Sequence, residues 1–279
     1  MKSAVTLAIV FVVASFASCD NGCVRLFSPK DELSHGEIAA ELAADSAGAA
    51  SFDHSRYAEV LDAHVDYDSA RVDYAGLAGD EARLDAYLEQ LADAELDALN
   101  SDAQLALLIN AYNAFTLKLI LEHYPDLESI KDIDKPWDTR RWELGGHQVS
   151  LNEIEHGLIR PIYRDSRIHF AVNCASVGCP PLAPWPYTGT DIDEQLDRAA
   201  KRTLGDDRYA RVEGDELQVT SLMNWYKPDF VGGEYEPSAE SVPAYVAMYG
   251  DDEIRELVES EDEPSYSFID YDWALNDVE

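Results

Sequence analysis

Positive charge is what this sequence has least of. Lys and Arg together number 21 against 55 Asp and Glu, a formal net charge of -34 over 279 residues. So acidic a chain repels nucleic acid and anionic membrane surfaces and stays soluble, which sets nucleic-acid binding aside. The acidic residues are spread along the whole chain and mixed with apolar periodicity, the pattern of a folded protein with a highly hydrated surface, as in salt-adapted proteins. Several enzyme signatures are missing as well. There is no Gly-x-Ser-x-Gly, no Gly-rich phosphate loop followed by Lys and Ser or Thr, and no His-Glu-x-x-His, which removes serine-hydrolase, nucleotide and zinc-protease readings. Carboxylate pairs are too abundant to single one out for glycoside chemistry. Internal repeats and a linker to a second domain are absent too, so the length predicts one domain with a substantial core.

Cysteine is sparse, with 4 in the chain: Cys19, Cys23, Cys174 and Cys179. The first two lie near an N-terminus that reads as an export signal over residues 1–18, with Lys2 as its only charge and an apolar core too short to span a membrane comfortably. Phe16-Ala17-Ser18-Cys19 resembles the bacterial lipobox, which makes Cys19 the expected lipidation site and new N-terminus. Ordinary signal cleavage and secretion is the alternative. Cys23 lacks the apolar lead and reads as a leftover thiol. Residues 19–51 then form a lipid-anchor stem, and residues 52–279 the folded domain. The expected location is the periplasm or the cell surface, with the membrane touched through the lipid alone. Export also places Cys174 and Cys179 where disulfides persist.

Along the domain, Tyr57, Val60, Leu61, His64 and Val65 repeat at helical spacing, and Leu84, Tyr87, Leu88 and Leu91 mark a second amphipathic helix. Val72-Asp73-Tyr74 reads as a short extended piece between them. Ser101 with Gln104 forms a capping box for the strongest helix, Leu105 to about Tyr124, stopped by Pro125. Asn110, Tyr112 and Asn113 are polar groups inside that apolar run, and buried amides must find partners. They either bond neighbouring backbone or brace a site. Trp142 and Gly145-Gly146 predict a hairpin, and Ser150 with Glu153 caps the next helix. Ile168-His169-Phe170-Ala171-Val172-Asn173 alternates as a strand, with His169 facing away from Cys174. A helix is expected around Ile192 to Leu204, strands at Tyr209–Val212 and Leu217–Val219, a solvated acidic stretch over Asp251–Glu263, and a last strand at Phe268–Trp273. Trp225-Tyr226 and Asp229-Phe230 read as core and loop anchors. The fold class is α+β, a single domain with a central helix packed on a mixed or antiparallel sheet.

Nucleophile and base chemistry collects between residues 147 and 182. Cys174 and Cys179 fall there with His147, His156 and His169. Three explanations of the cysteine pair stay open: a disulfide across the short Ala-Ser-Val-Gly loop, nucleophilic catalysis by a thiolate with a histidine as base, or a zinc site, for which Cys-x4-Cys with scattered histidines is weak support. No metal and no cofactor is expected. At about 100° per residue, Leu151, Ile154 and Leu158 form one helical stripe, while Asn152, His156 and Arg160 lie opposite. Glu155 falls near the apolar stripe, where a carboxylate is costly without a partner. His156, arriving on a separate helix, is therefore the better partner for Cys174 than His169.

Five segments carry a family resemblance: Leu-Ile-Asn-Ala-Tyr-Asn-Ala (108–114), Ser-Leu-Asn-Glu-Ile-Glu-His-Gly-Leu-Ile-Arg (150–160), Arg-Ile-His-Phe-Ala-Val-Asn-Cys-Ala-Ser-Val-Gly-Cys-Pro-Pro-Leu (167–182), Asn-Trp-Tyr-Lys-Pro-Asp-Phe (224–230) and Tyr-Asp-Trp-Ala-Leu-Asn (271–276). In this order they resemble the motifs of domain-of-unknown-function family 547, over about residues 52–277. The resemblance implies a distant relation to papain-like and transglutaminase-like cysteine enzymes, with histidine before cysteine, permuted relative to papain. It implies Cys174 as nucleophile and Cys179, serine in some branches, as dispensable. The expectation is a cysteine-peptidase-like thiol hydrolase or acyl transferase acting on amide or isopeptide bonds in the cell envelope. Cys174 would attack, His156 would act as base and then acid, and Glu155 or Asn152 would orient it. A peptide-like or thiol-containing small molecule is the expected substrate. The alternative is a non-catalytic envelope module that binds a peptide or protein, with Cys174 and Cys179 bridged.

Overall fold

The computed structural model describes residues 36–42, 48–49, 51–260 and 264–278. The export signal, Cys19 and Cys23 lie outside them. Part of the expected stem is folded: α1 (Gly36–Leu42) buries Ile38 and Leu42 in the main core, and Ala49 pairs with Leu99. An apolar residue at each end of a seven-residue helix is too little periodicity to recognise in sequence. The chain continues through α2 (Ser55–His64), an antiparallel pair of β1 (Val65–Asp66) and β2 (Arg71–Val72), then α3 (Tyr74–Gly79) and α4 (Glu81–Ala92). The extended piece expected at Val72-Asp73-Tyr74 is mostly this turn into α3, because the Asp73 carboxylate accepts from the Gly76 N–H and caps the helix.

α5 (Ser101–Leu121) is the central helix. Its cap is Asn100, whose side chain accepts from the Ala103 N–H at 2.9 Å; Ser101 is already helical, and the Gln104 amide bonds the Leu96 carbonyl instead. From Ala103 to Leu121 every residue but Lys118 is buried, and a helix apolar on all sides belongs inside a core. Lys118 meets Glu81 and Asp85 of α4. The helix packs chiefly on helices, namely α3, α4, the turns at 153–159 and a later helix over Ile192–Leu204, rather than on a sheet as expected. The class is α+β, but the sheets are small and peripheral.

After α5 come the hairpin of β3 (Trp142–Leu144) and β4 (His147–Val149) and a helical stretch ending in α6 (Arg160–Tyr163). A 3-10 turn at Ser166–Phe170 leads into the loop that carries Cys174 and Cys179. This turn replaces the expected strand. Ile168, His169, Phe170 and Ala171 are all buried, with Ile168 and Ala171 in the main core and Phe170 in a second one. Burial on every side leaves no polar face, so the apparent alternation carried no sheet.

α7 (Ile192–Leu204) spans the range the sequence predicts. Then β5 (Ala210–Glu213) and β6 (Glu216–Thr220) pair antiparallel, and α8 (Leu222–Trp225), α9 (Lys227–Phe230), α10 (Val242–Tyr249) and α11 (Asp252–Ser260) follow. β7 (Ser265–Ile269) joins β6 in parallel, with Val219 opposite Phe268. Past β7 the chain crosses back over the molecule. Leu275 bridges Ser176 and Asp277 bridges Val72, which brings Tyr271 to the cysteine loop.

One buried group makes stability depend on pH. His54 is 5 % exposed and bonds the Tyr87 hydroxyl at 2.7 Å; burial pushes its imidazole down to about 4 from 6.5, with Asp53 opposing weakly. Its contribution is complete above pH 6.5 and is lost as pH falls toward 4, where the unfolded chain takes up a proton that the folded one refuses. At ~1.4 kcal/mol per unit of pKa, the loss is roughly 3 kcal/mol. Urea melts at pH 7 and 4.5 are expected to show about 2 kcal/mol more loss in wild type than in His54→Leu, the part of the effect that falls in that interval. An equal fall in both proteins refutes the assignment.

Candidate active site

The loop bearing Cys174 is held from α5. Asn113 donates to the Ala171 carbonyl at 2.9 Å and accepts from the Asn173 N–H at 2.8 Å. Asn173 in turn accepts from the Ala175 N–H at 2.9 Å and donates to the Pro180 carbonyl at 2.8 Å. Asn110 does the same for Tyr187, with bonds of 2.8 and 2.9 Å. The amides buried in α5 are therefore braces. Between them Ala175 adopts φ +60°, a left-handed conformation that costs an L-residue ~1–2 kcal/mol. Its N–H on Asn173 and its carbonyl on the Asn276 N–H hold it there. Strain of this kind collects at functional sites.

The Val177 and Gly178 N–H groups bond the Ala274 and Asp272 carbonyls, so the loop lies along the returning C-terminal segment. Cys174 Sγ then meets Ser176 Oγ and Tyr271 Oη, each at 3.2 Å, and those two oxygens are 2.9 Å apart. The triangle has three edges. With a neutral thiol, three hydrogens serve them; once the thiol proton leaves, both hydroxyl hydrogens can turn to the sulfur. Cys179 closes the other side, its sulfur accepting from the Cys174 N–H at 3.1 Å. Hydrogen bonding from Cys179, then from Ser176 and Tyr271, brings the Cys174 thiol down to about 7, against burial and the charge of Glu155. Burial, reinforced by Cys174, pushes the Cys179 thiol well up. Both are free thiols; Cys174 is partly exposed and Cys179 buried.

Beside this lies a second group. The helix from Leu151 opens with the expected capping box, Ser150 N–H to Glu153 at 2.7 Å and Glu153 N–H to Ser150 Oγ at 3.1 Å. It then widens into a π-helix over Glu153–Ile159, and the Arg160 N–H reaches back to the Glu155 carbonyl, an i→i+5 bond. Pro161 follows, lacking an N–H and crowding the carbonyl four residues earlier, and a widened turn accommodates it. Burial would raise the Glu155 carboxyl. The proximity of His156, then of His169 and Arg160, and a hydrogen bond from Tyr226 outweigh it and hold the group below its ordinary value.

His156 Nδ1 lies 3.7 Å from Glu155 and accepts from Arg160 at 3.2 Å. Arg can only donate, so the imidazole is neutral with its proton on Nε2, in keeping with burial, which pushes His156 down. Arg160 also forks onto Asp229 at 2.7 and 2.8 Å, and His169 Nε2 donates to Asp229 at 2.7 Å. Burial opposes the Asp229 charge, but the bonds from His169 and Arg160 hold its carboxyl at about 2; buried His169 stays neutral. The Tyr226 ring stacks on His169 with centroids 4.0 Å apart and carries the Arg160 guanidinium at 5.0 Å.

Cys174 and Glu155 thus come within electrostatic reach of each other, and Glu155 sits next to His156. Asn152 donates to Asp138, whose charge in turn acts on His156. Among the described residues, no group of three or more His, Cys, Asp or Glu side chains is arranged to hold a metal ion. Sequence reasoning missed Ser176, Tyr271, Tyr226 and Asp229 as parts of the site. The available signal was the set of motif segments itself, because 224–230 supplies Tyr226 and Asp229 and 271–276 supplies Tyr271.

Residues 96–204 match the family model described as "Protein of unknown function, DUF547". No curated protein and no solved structure matches the chain.

Proposed function

Since residues 96–204 match a family model that carries no assigned activity, we propose from the site's own chemistry that the protein is a thiol-dependent hydrolase or acyl transferase of the cell envelope, acting on amide or isopeptide-type bonds. The observation that carries this reading is Cys174: a partly exposed thiol lowered to about 7, ringed by Ser176, Tyr271 and Cys179. The lowered value favours the thiolate, the form that attacks acyl carbon.

Cys174 adds to the carbonyl carbon, and the amine leaves with a proton. The Glu155–His156 pair is the proton station in this reading. A proton arriving at His156 Nδ1 displaces the Arg160 hydrogen bond and faces the Glu155 carboxylate, 3.7 Å away. Water then attacks the thioester in a hydrolase, or a second amine in a transferase. Ser176 and Tyr271 stabilise the thiolate at both ends of the cycle. A likeness to papain-like and transglutaminase-like enzymes belongs to this proposal. So do export and lipid attachment at Cys19, which give the activity its place.

Two measurements test it. A short, limiting iodoacetamide pulse followed by peptide mapping is expected to label Cys174 with a half-maximum near pH 7. In Tyr271→Phe the half-maximum should rise by about 1–2 pH units, the equivalent of ~1.5–3 kcal/mol for a hydrogen bond to a charged group. In Glu155→Gln it should fall, because an opposing charge is gone. With p-nitrophenyl acetate as acyl donor, wild type should turn over, and His156→Ala should accumulate acetyl-Cys174. A Cys174 that stays unlabelled until reductant is added, and is found linked to Cys179, ends the catalytic reading in favour of a peptide- or protein-binding module.

A further inference from the structure

Acyl transfer of this kind gives one nucleophile, Cys179, no covalent step. Cys179 is 5 % exposed, and its sulfur sits 3.1 Å from the backbone nitrogen of Cys174. Its thiol also faces the Val172 carbonyl, 3.8 Å away. A buried thiol could have been replaced by any small apolar side chain if only packing mattered. Here a thiol is instead held on the backbone of the residue that bears the reactive sulfur, by a loop fixed at Asn113, Asn173 and Asp272. Facing the opposite side of Cys174 are the hydroxyls of Ser176 and Tyr271.

We infer that this site also reduces hydroperoxides, with Cys174 as the attacking sulfur and Cys179 as the thiol that resolves it. The inference rests on the nucleophilic Cys174 of the proposed function but adds a second chemistry. Thiolate Cys174 attacks one peroxide oxygen; an S–O bond forms, the O–O bond breaks, and the departing alkoxide or hydroxide takes a proton from solvent, equal to the one Cys174 released on ionising, relayed through the Tyr271 and Ser176 hydroxyls. Cys174 is now a sulfenic acid. Cys179 attacks its sulfur, the S–O bond breaks, and water leaves with the Cys179 proton. Two thiols and one hydroperoxide become one disulfide, one alcohol and one water. Sulfur is oxidised by two electrons and the peroxide reduced by two. An external dithiol returns the pair to the reduced state by exchange. The disulfide, while present, silences acyl transfer.

The test uses hydrogen peroxide on the reduced full-length protein, with intact mass and peptide mapping. Wild type is expected to lose the two thiol hydrogens of Cys174 and Cys179 and yield a link between them. Cys179→Ser is expected to stop at a sulfenic acid on Cys174 that dimedone traps. At pH 7 the Cys174 oxidation rate should exceed that of free cysteine about fifteenfold, the ratio of thiolate fractions for a thiol near 7 and one near ~8.5. If Cys174 alkylates rapidly with iodoacetamide yet peroxide gives no link, or overoxidises it in wild type as in Cys179→Ser, the inference is overturned and the acyl-transfer reading stands. If Cys174 neither alkylates nor oxidises faster than free cysteine, both fall.

Discussion

Arg160→Ala is expected to lower the unfolding free energy by roughly 3–5 kcal/mol, the usual cost of leaving a buried charge without its partner. The Asp229 side chain is 2 % exposed and receives two bonds from Arg160 and one from His169. Removing the guanidinium leaves a carboxylate with one neutral donor, and also strips Tyr226 of its cation and His156 Nδ1 of its donor. Adding Asp229→Asn to the same chain should recover most of the loss, because a neutral amide still accepts from His169 without needing a counter-charge. Urea denaturation of the three proteins decides the matter. A single substitution costing under about 1 kcal/mol, the worth of an exposed pair, would show that water reaches Asp229.

Asn113→Ala should be nearly as costly and should reach the chemistry as well. It orphans the Ala171 carbonyl and the Asn173 N–H in the core, at ~1–3 kcal/mol each. Because Asn173 fixes both Ala175 and Pro180, the loop loses its shape. The half-labelling pH of Cys174 should then climb toward that of an ordinary thiol. Asn113→Asp is the sharper probe. Its carboxylate still accepts from Asn173 but cannot donate to Ala171, and a negative charge one residue's reach from the loop raises the Cys174 value further. Unchanged labelling in both variants would leave Asn113 a packing residue only.

Local order was legible wherever a rule acts within a few residues. The Gly145-Gly146 hairpin, the Ser150–Glu153 box and α7 follow from spacing and capping chemistry. The cap of α5 was misplaced by one position because Asn100 and Ser101 are both good caps, and only the observed bond to Ala103 distinguishes them. The segment 168–173 failed for a different reason, since a stretch buried on all sides has no period to read. At the site, Cys174, His156 and Glu155 could be picked out as chemistry-bearing residues near each other in sequence. Ser176 lay in the same loop, but a serine two residues from a cysteine is unremarkable until Tyr271 completes the triangle. Tyr226, Asp229 and Tyr271 reach the site across 60 to 97 positions, as in His169–Asp229 and Cys174–Tyr271. No local rule couples residues so far apart.

The crossing segment that delivers Tyr271 has a consequence for the order in which the protein acquires its chemistry. Asp277 and Asn276 are joined to Arg71, Val72 and Tyr74, more than 200 positions earlier, and contacts of that sequence separation are entropically the slowest to form. Until they do, Cys174 has no phenol beside it and lacks one of the groups that lower its thiol. In a nascent or refolding chain the sulfur is therefore less reactive than after the two distant parts of the polypeptide are sewn together. Reactivity here doubles as a timestamp of finished assembly.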